Sequence, residues 1–228
     1  TLKSDGSVTA STHDVGTRIS WNLKGPISKK VNRATFVSGA QADMEGDIAP
    51  QVGQERKYDK FVQDADGNWS RTEVTEEIVE VRSWEMRRDE REVVCQQCHG
   101  VQVVENFYKQ FDQLVVTYNE KFAKPAQMLY EVAQREGLVT GDLYKSELGW
   151  MWWELWHHEG RSARVGASKM APDFAHWHGL YEVADNFYNK FIPELRRLAA
   201  EKGKSAAVEE YITRILSKPE HQWKGSGG

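Results

Sequence analysis

Cys95-Gln96-Gln97-Cys98-His99 holds the only two cysteines of the 228-residue chain, and they stand two residues apart with a histidine directly after. A Cys-x-x-Cys-His run is the attachment pattern of a c-type haem. Each thiol adds to one vinyl group of the porphyrin as a thioether, the two-residue gap lets both sulfurs reach one ring edge, and the histidine falls under the iron as its axial ligand. Two other chemistries use such a pair. A thioredoxin-like redox couple does not need the histidine, and a structural zinc site would usually bring a second Cys/His pair at similar spacing. The six other histidines are scattered and no other cysteine exists. Cys95, Cys98 and His99 are therefore read as a haem c site, with both cysteines consumed and no disulfide expected.

Composition bounds the rest. Thirty basic and 34 acidic residues leave a formal charge of −4 with no strongly basic block, which argues against nucleic acid as a partner. No apolar run approaches the roughly 20 residues of a membrane span, and a mean hydropathy of −0.67 describes a soluble protein. No signal peptide is visible. Haem is joined to this motif outside the cytoplasmic membrane, so an export signal is expected to have preceded Thr1, and the chain is read as mature or as a fragment. Nine tryptophans suit the wrapping of a porphyrin, but they equally fill cores.

Downstream of the motif the pattern is helical. Val104, Phe107, Phe111, Leu114 and Tyr118 recur at three- and four-residue steps. Pro125 is expected to kink or break this helix, which resumes through Leu129 and Val132 and stops at Gly137. A further helix is expected from Asp142 to Gly160, with Leu148, Met151, Leu155 and His158 on one seam and Trp150, Trp152, Trp153 and Trp156 around it. From Pro172 the residues Phe174, Trp177, Tyr181, Ala184, Tyr188, Phe191, Leu195 and Leu198 keep a 3-4 spacing, which predicts a long helix packed as in a supercoil. A short amphipathic helix is expected over Ser205 to Leu216, then a flexible Gly225–Gly228 end.

Upstream, Thr1 to Pro50 reads as irregular, apart from a possible short strand over Val15 to Leu23 and a turn at Gly25-Pro26. From Glu55 to Val81 two short strands flank Asp64-Ala65-Asp66-Gly67-Asn68, whose Asp-Gly step favours a hairpin. A calcium loop is the competing reading, but the acidic spacing stops after two ligands and no glutamate stands at the twelfth position. Helix is expected from Arg82 to the haem motif. The fold class is thus mainly α with long C-terminal helices in a bundle, and a small irregular and β region first. The division is residues 1–81 against 82–228.

A second axial ligand would make the haem an electron carrier, whereas an open position would make it a substrate site. His13, on a loop, is either a surface histidine or such a ligand. His178 flanks the Trp177/Tyr181 seam. His157 and His158 are adjacent and point to different sides of a helix. His221 is expected in solvent, in a polar tail.

Thr12-His13-Asp14-Val15-Gly16-Thr17-Arg18-Ile19-Ser20-Trp21, Cys95 to His99, Trp156-His157-His158-Glu159-Gly160-Arg161 and Pro172-Asp173-Phe174-Ala175-His176-Trp177-His178-Gly179, in this order and spacing, resemble the C-terminal part of octahaem hydroxylamine oxidoreductases. The likeness covers most of the chain and is weakest around Gln54–Val81. It implies a multihaem cytochrome c in which Cys95, Cys98 and His99 form the last haem site. His13 and His178 would be axial ligands of other haems, whose attachment motifs lie on a haem-rich remainder of the chain or on a partner subunit.

The resemblance also implies a homotrimer or higher oligomer, a cytochrome as redox partner, a small inorganic nitrogen substrate and an extracytoplasmic compartment, either the periplasm or an equivalent such as the anammoxosome. Members that oxidise hydroxylamine or hydrazine carry a tyrosine cross-linked to the catalytic haem of the adjacent subunit. Phe174 stands at that position here, and Tyr181, two turns on, is the other candidate. Without the phenol the reductive direction, on nitrite or hydroxylamine, is expected. Oxidation of hydroxylamine or hydrazine is the first alternative, and a non-enzymatic electron-transfer subunit is the second.

Overall fold

A computed structural model describes residues 19–224, so the expectations for His13 and for the Gly225–Gly228 end lie outside the described residues. Helix accounts for 58% of the molecule, and a small antiparallel sheet precedes it, which makes the chain mainly α. The chain forms two compact units. One comprises described residues up to Asn22 together with Lys29–Val104; the other comprises Leu23–Ser28 and the chain from Glu105 onward. The change of composition at Arg82 is the step from strand to helix, within the first unit.

The sheet of the first unit runs β1 (Trp21–Asn22), β2 (Lys29–Phe36), β5 (Trp69–Arg82), β4 (Glu55–Gln63), with β3 (Gln41–Glu45) paired to β2; all pairings are antiparallel. Besides β1, which falls within the short strand expected over Val15 to Leu23, the segment expected to be irregular to Pro50 therefore contains two further strands, β2 and β3. They escape a search for alternating apolar residues because β2 buries polar side chains. Lys30 is held between the rings of Trp21 and Trp84, 4.1 and 3.8 Å from their centroids. Asn32 is fully buried, donating to the Gly46 carbonyl (3.1 Å) and accepting from the Trp84 amide (2.9 Å).

The expected hairpin is present, with strands longer than expected: β4 and β5 pair in register from Glu55↔Glu77 to Gln63↔Trp69. At its turn the Asp64 carboxylate accepts from the amides of Asp66 (3.0 Å) and Asn68 (2.8 Å), and Gly67 takes φ +84°. Those bonds, that of Asn68 first, hold the Asp64 carboxyl below its ordinary range. The aspartate is spent on its own turn, and among the described residues no group of three His, Cys, Asp or Glu is placed to hold a metal ion.

Helix α1 (Trp84–Cys95) starts where Ser83 accepts from the Met86 amide as N-cap. Four bonds fix its first turns. Asn32 receives the Trp84 amide, Ser20 Oγ donates to the Trp84 carbonyl (3.1 Å), Arg87 donates to the Val31 carbonyl (2.8 Å), and Arg88 donates to the Ile19 carbonyl (3.3 Å). The cysteine motif sits at the other end of this anchored rod.

The second unit is helical: α2 (Val101–Thr117), α3 (Lys124–Arg135), α4 (Glu147–Trp153), α5 (Gly160–Ser168), α6 (Glu182–Asp185), α7 (Ile192–Glu201) and α8 (Ser205–Leu216), α2 beginning in the first unit. Four π-helical stretches run into these helices, at Tyr118–Ala123, Glu154–Glu159, Asp173–Tyr181 and Asn186–Phe191. They bear on the expectation for Pro125, and on Pro193 as well. Pro125 and Pro193 each stand at the first turn of a helix that follows a π stretch, so the missing N–H falls where the hydrogen-bond pattern is already changing, and the chain remains helical through both.

The π stretches also move the buried seams. Along the last long helical run Ala175, Gly179, Val183, Phe187, Phe191, Leu195 and Ala199 are buried at steps of four, with Asn186, Ile192 and Glu194 buried beside them; of the expected 3-4 seam, Phe191 and Leu195 are fully buried. The wider turn adds a residue per revolution. Phe174, Trp177 and Tyr181, expected in the packed seam, are 55%, 65% and 61% exposed. Earlier, Leu148, Trp152, Leu155 and Glu159 are buried at a 4-3-4 spacing, so that Glu159 takes the buried place expected for His158, and that helical run continues past Gly160 to Ser168. The core gathers Tyr118, Phe122, Leu129, Leu148, Leu155 and Phe187.

Candidate haem-binding site

Cys95 closes α1, and the motif folds as the turn that ends it. The amides of Cys98 (3.1 Å) and His99 (3.0 Å) both donate to the Cys95 carbonyl, and the Gln96 amide donates to that of Glu92 (2.9 Å). Both thiols are unpaired; Cys95 is half-buried, while Cys98 and His99 are exposed. Val93, Val101 and Val103 around the turn are each more than half exposed. This donor set fits a covalently attached haem: two free sulfurs and an imidazole on one tight turn, edged by uncovered apolar side chains that a porphyrin would shield from water. No helix of the described chain is long and apolar enough to cross a membrane.

His178 projects from the π-helical stretch Asp173–Tyr181. Its backbone leaves the helical region there (φ −86°, ψ 25°), in the sparsely populated bridge region where functional residues are often found. Nδ1 lies 3.2 Å from the Glu182 carboxylate, and Nε2 lies 3.7 Å from that of Asp173. A carboxylate on Nδ1 is the arrangement that fixes the ring of a metal-binding histidine and directs Nε2 outward. The position depends on close helix contact. A Cβ on Gly179 would stand 2.6 Å from Ala163 Cα, and one on Gly166 would stand 2.7 Å from the Ala175 nitrogen, so the segment packs on α5 backbone to backbone. Phe174 neighbours His178 with ring centroids 6.0 Å apart.

His157 is differently engaged. It stacks on Trp153 (4.3 Å), and its Nε2 lies 3.2 Å from Arg161 Nη1; burial first, then Arg161 and His158, lower its proton affinity. A neutral ring accepting from Arg161 has that nitrogen occupied. His158 and His176 are exposed. His221, expected in solvent, is instead buried. It stacks on Phe187, its Nδ1 is 2.7 Å from the Tyr188 hydroxyl, and burial lowers its proton affinity. A polar stretch gave no sign of this, because the ring is held by tertiary partners on the far side of α7 and α8 in the sequence.

Arg164 and Glu159 are buried charged groups that the sequence did not single out. Arg164 is fully buried and faces no carboxylate. It donates to the carbonyls of Gly160 (2.8 Å), Gly25 (3.0 Å) and Trp156 (3.0 Å) and to Ser28 Oγ (2.7 Å), and its guanidinium lies 4.1 Å over the Tyr118 ring.

The other is Glu159, which is 7% exposed and receives one amide, Asn186 Nδ2, at 3.1 Å to either oxygen. Burial pushes its carboxyl up to about 7; Asn186 and Lys190 oppose this and Glu154 and Glu182 add to it. Folded Glu159 holds its proton more tightly than the unfolded chain does, so its contribution is fully present below pH 4.5 and is lost as pH rises through 7. The shift corresponds to about 3 kcal/mol. A Glu159→Gln variant, which keeps the acceptor for Asn186, is expected to match the parent in urea denaturation at pH 4 and to exceed it by about that amount at pH 8. Equal differences at both pH values would sink the assignment.

No family model, no curated protein and no solved structure matches this chain.

Proposed function

We propose that the chain is part of a hydroxylamine oxidoreductase-like multihaem cytochrome c, and that it takes part in the reduction of a small inorganic nitrogen compound, nitrite or hydroxylamine. The observation that carries this reading is the turn from Cys95 to His99, with two free thiols and an exposed imidazole among uncovered valines. When bound, haem supplies the one-electron chemistry. The chain's own part is to hold the group at Cys95 and Cys98, to place the His99 imidazole beneath it and to keep water from its edge with Val93, Val101 and Val103.

Further haems, on a haem-rich remainder of the chain or on a partner subunit, account for an exposed His178 whose ring is steadied by Glu182. Phe174 beside it has no phenolic oxygen with which to form a covalent link, and this favours the reductive direction. A homotrimer or higher oligomer in an extracytoplasmic compartment, served by a cytochrome, completes the proposal.

The test is the haem-to-protein ratio of the native assembly, with the intact mass of its denatured chains and its spectra in nitrite and in hydroxylamine. Expected are more haems than one per 228 residues, at least one that binds nitrite or hydroxylamine, and no covalent bond at position 174. One haem per chain, with no co-purifying haem protein and no response to either compound, would leave an electron-transfer cytochrome. Turnover of hydroxylamine only in the oxidising direction would reverse the assignment drawn from Phe174.

A further inference from the structure

Asn68-Trp69-Ser70 is the one Asn-x-Ser/Thr run of the 228 residues, and its middle residue is not proline. That pattern is the acceptor of N-linked sugar, and it calls for a surface loop on a chain that has left the cytoplasm. The structure places the asparagine on such a loop. The β2–β5 ladder ends at Phe36↔Ile78, so from Trp69 to Glu77 strand β5 has β4 as its single ladder partner among the described residues. The two strands run on together from Glu55↔Glu77 to Gln63↔Trp69, a length of about 27 Å. Asn68 closes the turn at the end of that arm, and every residue from Asp59 to Glu73 is exposed.

The side chains of the run are ready to be engaged. The turn is held by backbone amides, that of Asn68 donating to Asp64 Oδ1 at 2.8 Å, while Asn68 Nδ2 donates to Asp64 Oδ2 at a long 3.3 Å. A sugar on Nδ2 leaves that nitrogen one hydrogen, so the bond to Asp64 survives attachment. Ser70 Oγ, the hydroxyl that completes the pattern, donates to the Val62 carbonyl at 3.3 Å, again long and open to exchange. A second observation concerns apolar surface. Phe61 is 63% exposed and Trp69 68%. They share a face, since Phe61 and Gln63 do and Gln63 stands opposite Trp69. A two-stranded hairpin with uncovered faces is marginal in water, and a sugar fixed beside Trp69 can lay its apolar C–H face on those rings. We propose that Asn68 carries an N-linked oligosaccharide, transferred from a glycosyl diphosphate; the inference shares the extracytoplasmic setting of the reading above but not its haem. In the transfer an N–H bond of Nδ2 breaks and a bond from Nδ2 to the anomeric carbon forms. The anomeric carbon–oxygen bond of the donor breaks, the diphosphate leaves, the proton passes to a base of the transferase, and nothing is oxidised or reduced.

The experiment digests the denatured chain isolated from the cells that make it, together with its Asn68→Gln, Ser70→Ala and Ser70→Thr variants produced in the same cells, and weighs the peptide that contains position 68. The parent peptide is expected to exceed its sequence mass by that of an oligosaccharide. A glycosidase that cuts the sugar–asparagine bond is expected to remove the excess and to leave aspartate at 68. Asn68→Gln and Ser70→Ala are expected to lose the excess completely. Ser70→Thr keeps the hydroxyl and is expected to keep the sugar. Both positions are exposed, so the variants are expected to fold as the parent does.

The same digest yields the peptide spanning Cys95–His99, so the two readings fail separately. Haem on that peptide with a bare Asn68 overturns the sugar site and leaves the haem assignment standing. Sugar on Asn68 without haem upholds the site and refutes the haem reading. An unmodified mass for the parent peptide, or an excess that persists in Asn68→Gln, overturns the proposal whatever the haem peptide shows.

Discussion

A Cys95→Ser, Cys98→Ser double variant, produced where the parent matures, is expected to carry one covalent haem fewer than the parent: its denatured mass falls by that of one haem, and the peptide spanning Cys95–His99 carries none. A serine hydroxyl is a far weaker nucleophile than a thiol and does not add to a vinyl group under these conditions. At this turn the effect is total because the 228 residues hold no third cysteine to substitute. The single variants separate the two sulfurs. Cys98 is exposed and Cys95 half-buried at the helix end, so Cys98→Ser is expected to retain haem through one thioether. His99→Ala is expected to keep the covalent bonds and to lose the low-spin spectrum that a histidine ligand supports. An unchanged haem count in the double variant, or no haem on the parent's Cys95–His99 peptide, would refute the assignment of this turn. Fold is a separate matter, since α1 is fixed by bonds at its first turns and not by the motif.

The second large effect is expected at Arg164. Arg164→Met fills much of the same volume without a charge, yet it leaves Ser28 Oγ and the carbonyls of Gly25 and Trp156 without their donor inside the protein. Each unsatisfied buried acceptor costs about 1–3 kcal/mol, and together a loss of about 3–5 kcal/mol is expected, read as a fall in the urea midpoint at unchanged slope. The segment Leu23–Ser28 depends on the same cluster, which also includes Tyr118 donating to the Pro26 carbonyl (2.8 Å) and Asn119 bonded both ways to Ser28 (2.9 and 3.0 Å). Faster amide exchange at Ser28 is therefore expected in the variant. Burial holds the Tyr118 phenol up at about 12, with Arg164 opposing, so the phenol rises further when the guanidinium goes. Arg164→Lys keeps a charge but offers one nitrogen in place of a planar fork, and it is expected to recover only part of the loss. A midpoint within experimental error of the parent would mean that water enters and replaces the donors.

The hairpin at Asp64–Asn68, the helix leading to Cys95 and the mainly α class were all legible from residue type and spacing, because each rests on local chemistry. A cysteine pair with its histidine is a local pattern, an Asp-Gly step shapes its own turn, and Ser83 caps its own helix. Reading failed where distant partners decide. Strand β2 looked irregular because Lys30 and Asn32 are buried only by virtue of Trp21, Trp84 and Gly46. His221 looked exposed because Phe187 and Tyr188 are remote in sequence.

By itself, then, the sequence determined the chemistry this chain can carry, since thiols, imidazole and their spacing are properties of neighbouring residues. The tertiary structure alone decided which groups are buried and which face outward. Phe174, Trp177 and Tyr181 lie at the surface and Glu159 lies inside, although a helical period read along the chain placed the three aromatics in the seam. Strand register set Arg33 opposite Arg82 beneath a helix that adds two more arginines. Burial and electrostatic field depend on contacts across the fold, and no local pattern of residues encodes them.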